Sequence, residues 1–87
     1  MTDVVYMGIE YKINFSVPDS YSTAALSNRL PPELDAGGRG CIYAYAVESD
    51  GFYFVDNLVD KEVASVALRV LVDEALRFSL CVQLSEL

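Results

Sequence analysis

Asp50, Asp56 and Asp60 crowd one stretch of the chain, while Cys41 and Cys81 stand far apart in it. Paired carboxylates can act as general acid and base, and a thiol beside an imidazole can act as a nucleophile. The chain contains no histidine. That removes Ser-His and Cys-His activation, together with the commonest metal-binding side chain. Two cysteines without a histidine do not complete a typical zinc site. Each aspartate also has a structural duty in prospect: Asp50 in a turn, Asp56 at a strand end, Asp60 as a helix cap. A hydrolase using two acids needs a cleft as well, and nothing in so short a chain suggests one. The expectation is a protein that is not an enzyme, with no catalytic residue, cofactor or metal.

Two further motifs carry less chemistry than they first offer. The stretch "AGGRG" is not a phosphate loop, because no Lys-Ser/Thr follows it and it does not lead from a strand into a helix. Arg39 within it could touch an anion, but a flexible linker is the expected role. Cys41 in "GCIYAY" and Cys81 in "SLCVQL" have apolar neighbours and no CxxC spacing, so both are expected as buried free thiols.

A single domain spanning residues 1–87 is expected, since two cores would each be too small to hold. Hydrophobic residues make up 53% of the chain against 22% charged, which places it well away from disordered compositions. The net charge of −7 repels phosphate polymers and anionic membrane surfaces, so the complementary partner is basic. No apolar run is long enough to span a bilayer. The opening "MTDVVYMGIEYK" lacks the basic and apolar segments of a leader, and a soluble cytoplasmic protein is expected.

The elements that must position these residues follow from periodicity. "IEYKINFSV" alternates, with Ile9, Tyr11, Ile13, Phe15 and Val17 on one side, and reads as a half-buried strand closed by Pro18. "DSYSTAALSNRL" reads as a short helix, capped by Asp19, Ser20 or Ser22 and stopped by Pro31 and Pro32. "CIYAYAVE" and "FYFVD" form a hairpin across "SDG", with Gly51 supplying positive φ. Asp60 caps a long helix starting at Lys61, whose buried arc runs through Ala64, Ala67, Leu68, Leu71, Val72, Ala75 and Phe78. On its solvated side Asp73 can alternate between Arg69 and Arg77. Val63, Val66 and Val70 form a second stripe, to be covered by "VVYM" near the N-terminus or by another chain. "LCVQLSEL" is the last strand.

The order β, α, β, β, α, β is the split βαβ pattern of ferredoxin-like α+β folds: a four-stranded antiparallel sheet, order 4-1-3-2, with two helices on one face. The second and fourth strands are then edges, roughly 14 Å apart, too far for Cys41 and Cys81 to bridge. The other sheet face is open. With Ala44 and Ala46 beneath a helix, Tyr43 and Tyr45 project from it beside Lys12, Asn14 and Gln83; the reverse placement is the alternative. The second strand is an edge with one charge, Glu48, and no proline, so it awaits a cover, a second copy or a partner strand.

The stretch "DGFYFVDN" resembles the third-strand motif of RNA-recognition domains at Gly51, Phe52, Phe54 and Val55, and "INFSVPD" resembles the companion motif at Ile13 and Phe15. That resemblance implies bases stacked on Phe52 and Phe54. Asp50, Tyr53 and Asn57 depart from the motif, and Glu48, Asp56 and Asp60 surround it with negative charge, so nucleic acid is an unfavoured partner. "VPDSYSTAALSNRL" loosely resembles the strand-to-helix entry of small-molecule-sensing ACT domains, which implies a homodimeric regulatory module. Nothing resembles the arginine loop of acylphosphatases.

The function expected is therefore protein binding, in the form of a small acidic inhibitor of the toxin-immunity, antitoxin or phage anti-defence type acting on a basic nuclease or toxin. Tyr43, Tyr45, Glu48, Asp50, Tyr53 and Asp56 are its expected contacts. A homodimeric ligand-sensing module is the alternative reading.

Overall fold

The computed structural model describes residues 8–87. The elements run β1 (Ile9–Asn14), α1 (Ala24–Arg29), β2 (Tyr43–Glu48), β3 (Gly51–Asp56), α2 (Lys61–Leu76) and β4 (Gln83–Glu86). All three strand pairings are antiparallel, and the hydrogen-bonded order is β2-β3-β1-β4. Counted from the β4 edge, this is the neighbour sequence 4-1-3-2. The architecture is α+β: one four-stranded antiparallel sheet and two helices.

Local chemistry accounts for most boundaries. Asp60 accepts a hydrogen bond from the Val63 backbone N–H at 3.1 Å, the side-chain cap that opens α2. The short α1 has Thr23 at its N-cap without a side-chain cap bond, and the Ser22 hydroxyl accepts from Ala24 N–H instead. Gly51 follows the two-residue turn at φ +146°, and a Cβ there would stand 2.0 Å from the Ile13 carbonyl oxygen. Glycine is therefore required both for the backbone angle and for the close approach of β1.

One layer of side chains fills the space between sheet and helices. Ile13, Tyr43, Phe52 and Phe54 from the strands meet Leu26 of α1 and Ala64, Ala67, Leu71 and Ala75 of α2. The rings of Phe15 and Phe52 pack edge-on at 4.9 Å, and those of Tyr43 and Phe54 stack at 5.7 Å.

This layer corrects the expected placement of β2. Tyr43 is fully buried on the helix side, its hydroxyl donating to the Pro31 carbonyl at 2.6 Å, and Tyr45 lies half-buried on the same side. Ala44 and Ala46 take the open side. The reason lies in the contacts of Tyr43: its ring stacks on Phe54 within the core and its hydroxyl has a carbonyl acceptor there, a place that an alanine facing inward would leave unfilled.

Other expectations shift for similar reasons. Cys41 and Cys81 are free, and both are exposed rather than buried. Cys41 lies in an isolated bridge with Leu34 before β2 begins, and Cys81 follows the fully exposed Leu80 between α2 and β4. Apolar neighbours in sequence do not bury a residue outside a regular element. The "AGGRG" stretch is tied down rather than a free linker: Arg39 grips Asp35 through Nε at 3.0 Å and Nη2 at 2.9 Å, while Ile42 N–H donates to Glu33. Arg77 bonds to Glu74, leaving Asp73 to Arg69 alone. Val63 faces Pro32, Leu34 and Ile42 across a hollow of about 200 Å³, whereas Val66 is 53% exposed. The "VVYM" segment lies outside the described residues.

Candidate functional site

The open side of the sheet is assembled by register. Lys12 stands opposite Tyr53 on β3 and Ser85 on β4, Tyr53 stands opposite Ala46 on β2, and Asn14 and Glu48 flank Gly51. Because Gly51 has no side chain, Lys12 can reach past it to the hairpin. Its ammonium bonds both Glu48 and Asp50, the latter at 2.7 Å. The hydrogen bond and charge of Lys12 hold the Asp50 carboxyl below the ordinary carboxylate value; the hydrogen bonds that Lys12 donates to Asp50 and Glu48 raise its own pKa in turn. Tyr53 donates its hydroxyl to Glu10, and that bond, followed by desolvation, raises the phenol's pKa. Asn14 ties the far side down by donating to the Gln83 carbonyl at 2.9 Å and to the Ser85 hydroxyl at 3.2 Å.

The six expected contact residues thus divide. Glu48, Asp50 and Tyr53 come together around Lys12 on the open side. Tyr43 is core. Tyr45 lies on the helix side beside it. Asp56 also faces that side: it accepts from Leu58 N–H at 2.8 Å and lines a hollow of about 500 Å³ with Tyr11, Leu58, Lys61 and Leu68. These last three share no surface with Tyr53.

A second charged cluster escaped the sequence reading. Glu74, 2% exposed, accepts from the Tyr21 hydroxyl at 2.6 Å, Arg29 at 2.6 Å and Arg77 at 3.0 Å. Burial alone would raise its pKa, but the bonds from Tyr21 and Arg77 and the charges of Arg29 and Arg77 outweigh it, and the carboxyl sits below its ordinary value. Burial, and then the bond to Glu74, push the Tyr21 phenol up. The cluster joins α1 to α2 and leaves no buried polar atom unpartnered among the described residues. It is a structural joint. A signal for it existed: at about 100° per residue, Glu74 lies only about 20° round the helix from Ala67, inside the buried arc.

Phe52 and Phe54, the two positions that carry the likeness to RNA-recognition domains, point into the core at 0% and 1% exposure. Stacking a base on either would require opening the fold. Among the described residues no group of three or more His, Cys, Asp or Glu side chains could hold a metal ion, and no helix is long and apolar enough to cross a membrane. No family model matches the chain, and no curated protein or solved structure shows significant similarity to it.

Proposed function

We infer that this chain is a non-catalytic protein-binding module, a small acidic inhibitor of the immunity, antitoxin or phage anti-defence kind that blocks a basic, nucleic-acid-handling enzyme in the cytoplasm. The observation that carries this reading is how the charges are spent. Of the six Lys and Arg in the chain, Lys12, Arg29, Arg39, Arg69 and Arg77 are engaged by the chain's own carboxylates. Glu10, Glu33, Glu62 and Glu86 have no cationic partner among the described residues and leave an excess of negative surface. Such a surface steers a basic protein and repels a phosphate backbone. The burial of Phe52 and Phe54 weighs against RNA in the same direction.

The docking face in this reading is the open sheet side, with Tyr53 as the aromatic contact and Glu48 and Asp50 as the steering charges. Its scaffold is a ferredoxin-like split βαβ fold, a reading supported by the element order and by the neighbour sequence 4-1-3-2.

The test has two stages. Affinity capture on the tagged protein should retain one basic enzyme near one-to-one stoichiometry, and the purified pair should show that enzyme's activity titrated to zero. Changing Glu48 and Asp50 together to Lys should then slow association about ten-fold or more at low salt and flatten its salt dependence. An enzyme retained but fully active would refute inhibition, and an unchanged on-rate would refute this docking face.

A further inference from the structure

The two edges of the sheet are guarded unequally. β4 is four residues long and carries Glu86. β2 is six residues long, has no charge before Glu48 and contains no proline, and among the described residues it pairs with β3 alone. The loop before it closes on residues 40–42, where Gly40 O accepts from Asp35 N–H and Ile42 N–H donates to Glu33; beyond them the Cys41 thiol donates to the Tyr43 carbonyl at 3.0 Å, which leaves that oxygen a second lone pair for a partner strand. In an antiparallel ladder backbone groups point alternately to one neighbour and the other. The two-residue turn makes Glu48 and Gly51 the closing pair, so Tyr43, Tyr45 and Val47 direct their N–H and C=O groups outward.

We propose that two copies of this chain join through β2, antiparallel about a two-fold axis at Tyr45, to make one continuous sheet. The strand fits itself in this register. Tyr43 meets Val47 of the second copy and Tyr45 meets its own equivalent, so every outward backbone group between residues 43 and 47 finds a partner. On the open side Ala44 falls opposite Ala46 in the close-approach pairs, where small side chains suit a separation of about 4.5 Å. No like charges oppose each other: the two Glu48 carboxylates lie about 20 Å apart along the strands, beyond the screening length at physiological salt. This pairing uses the edge of the sheet and leaves the acidic open face free, so it stands or falls independently of the inhibitor reading.

The register makes a charge-swap test possible. Sedimentation equilibrium of the full chain should show a monomer–dimer equilibrium below about 200 µM, strengthened by added salt because both protomers are acidic. A44K/A46K places a lysine opposite a lysine twice across the axis and should weaken dimerisation at least about ten-fold. It does so although it lowers the opposing net charge from −7 to −5, which by itself would favour association. A44K/A46E keeps −7 and places Lys opposite Glu, and should return the affinity to within about three-fold of the wild type. Both pairs of substitutions lie on the open side, and an unchanged urea midpoint for each variant, taken at a dilution where sedimentation shows the wild type monomeric, checks that the monomer is intact. A wild-type chain that stays monomeric overturns the proposal, as does a dimer indifferent to A44K/A46K. If A44K/A46E is as weak as A44K/A46K, the register is wrong and the proposal fails.

Discussion

Phe52, Tyr53 and Phe54 are consecutive, yet the two sides of the sheet put them under different constraints. Phe52 and Phe54 are sealed between strands and helices, while Tyr53 lies half-exposed among Lys12, Glu10 and Ala46. On the helix side the governing quantity is volume, and even the one buried charge among the described residues, Glu74, has a donor for each carboxylate oxygen. On the open side the governing quantity is charge, and its pairs remain in contact with water. Packing and surface charge are thereby separated onto alternate residues of the same strands. The open side can be recharged to test binding without unfolding the protein that carries it.

The largest difference is expected from truncating two neighbours. Phe54→Ala should cost about 3–5 kcal/mol, through lost burial and the cavity left behind, whereas Tyr53→Ala should cost about 1 kcal/mol. Urea midpoints of the two variants measure the difference directly. Similar losses for both would mean that the open side is covered by something and is not a free face.

Next in size is the buried carboxylate. Glu74→Ala should destabilise by about 2–3 kcal/mol: Tyr21 loses its acceptor, but Arg29 and Arg77, 42% and 60% exposed, can turn to water. The sign of the pH effect follows from the lowered folded-state pKa of Glu74. Its contribution is present above the unfolded carboxyl value and is lost as pH falls through the folded one. Acid should therefore lower the urea midpoint of the wild type more steeply than that of Glu74→Gln. At the other end, burial pushes the Tyr43 phenol up to about 12. Its neutral form stabilises the fold below the ordinary tyrosine value, and that stability is lost as pH rises towards 12. Tyr43→Phe should flatten the alkaline limb.

How far the sequence reveals this division depends on the element. The strict alternation of β1, the Asp60 cap and Gly51 are local signals, and each appears where the local rule puts it. β2 is different. Tyr43, Ala44, Tyr45 and Ala46 alternate large with small rather than polar with apolar, so the strand alone does not choose its face. The choice is made by tertiary contacts: on the helix side Tyr43 stacks on Phe54 and finds the Pro31 carbonyl as acceptor for its hydroxyl. The Asp35–Arg39 clasp was hidden for another reason: four-residue spacing announces an ion pair in a helix but carries no such message in a glycine-rich loop. Of the expected contacts, Tyr43, Tyr45 and Asp56 lie on the helix side, where the face of β2 and the end of β3 put them. Glu48, Asp50 and Tyr53 come together around Lys12, because they sit at a hairpin whose register is local.

The smallest expected effect falls on Lys12, and it tests the claim that charge alone governs the open side. Lys12→Gln removes the cation shared by Glu48 and Asp50. The Asp50 carboxyl should climb back towards its ordinary value, which a carboxyl-carbon NMR titration reads residue by residue, and the net charge should pass from −7 to −8. High salt should produce much of the same rise in the unsubstituted protein, while Glu74, shielded from ions, keeps its depressed pKa. Because these carboxylates are already solvated, the urea midpoint should barely move. A midpoint that drops as far as that of Glu74→Ala would mean that Lys12 braces the hairpin against β1, and the open side would then carry part of the fold as well as its charge.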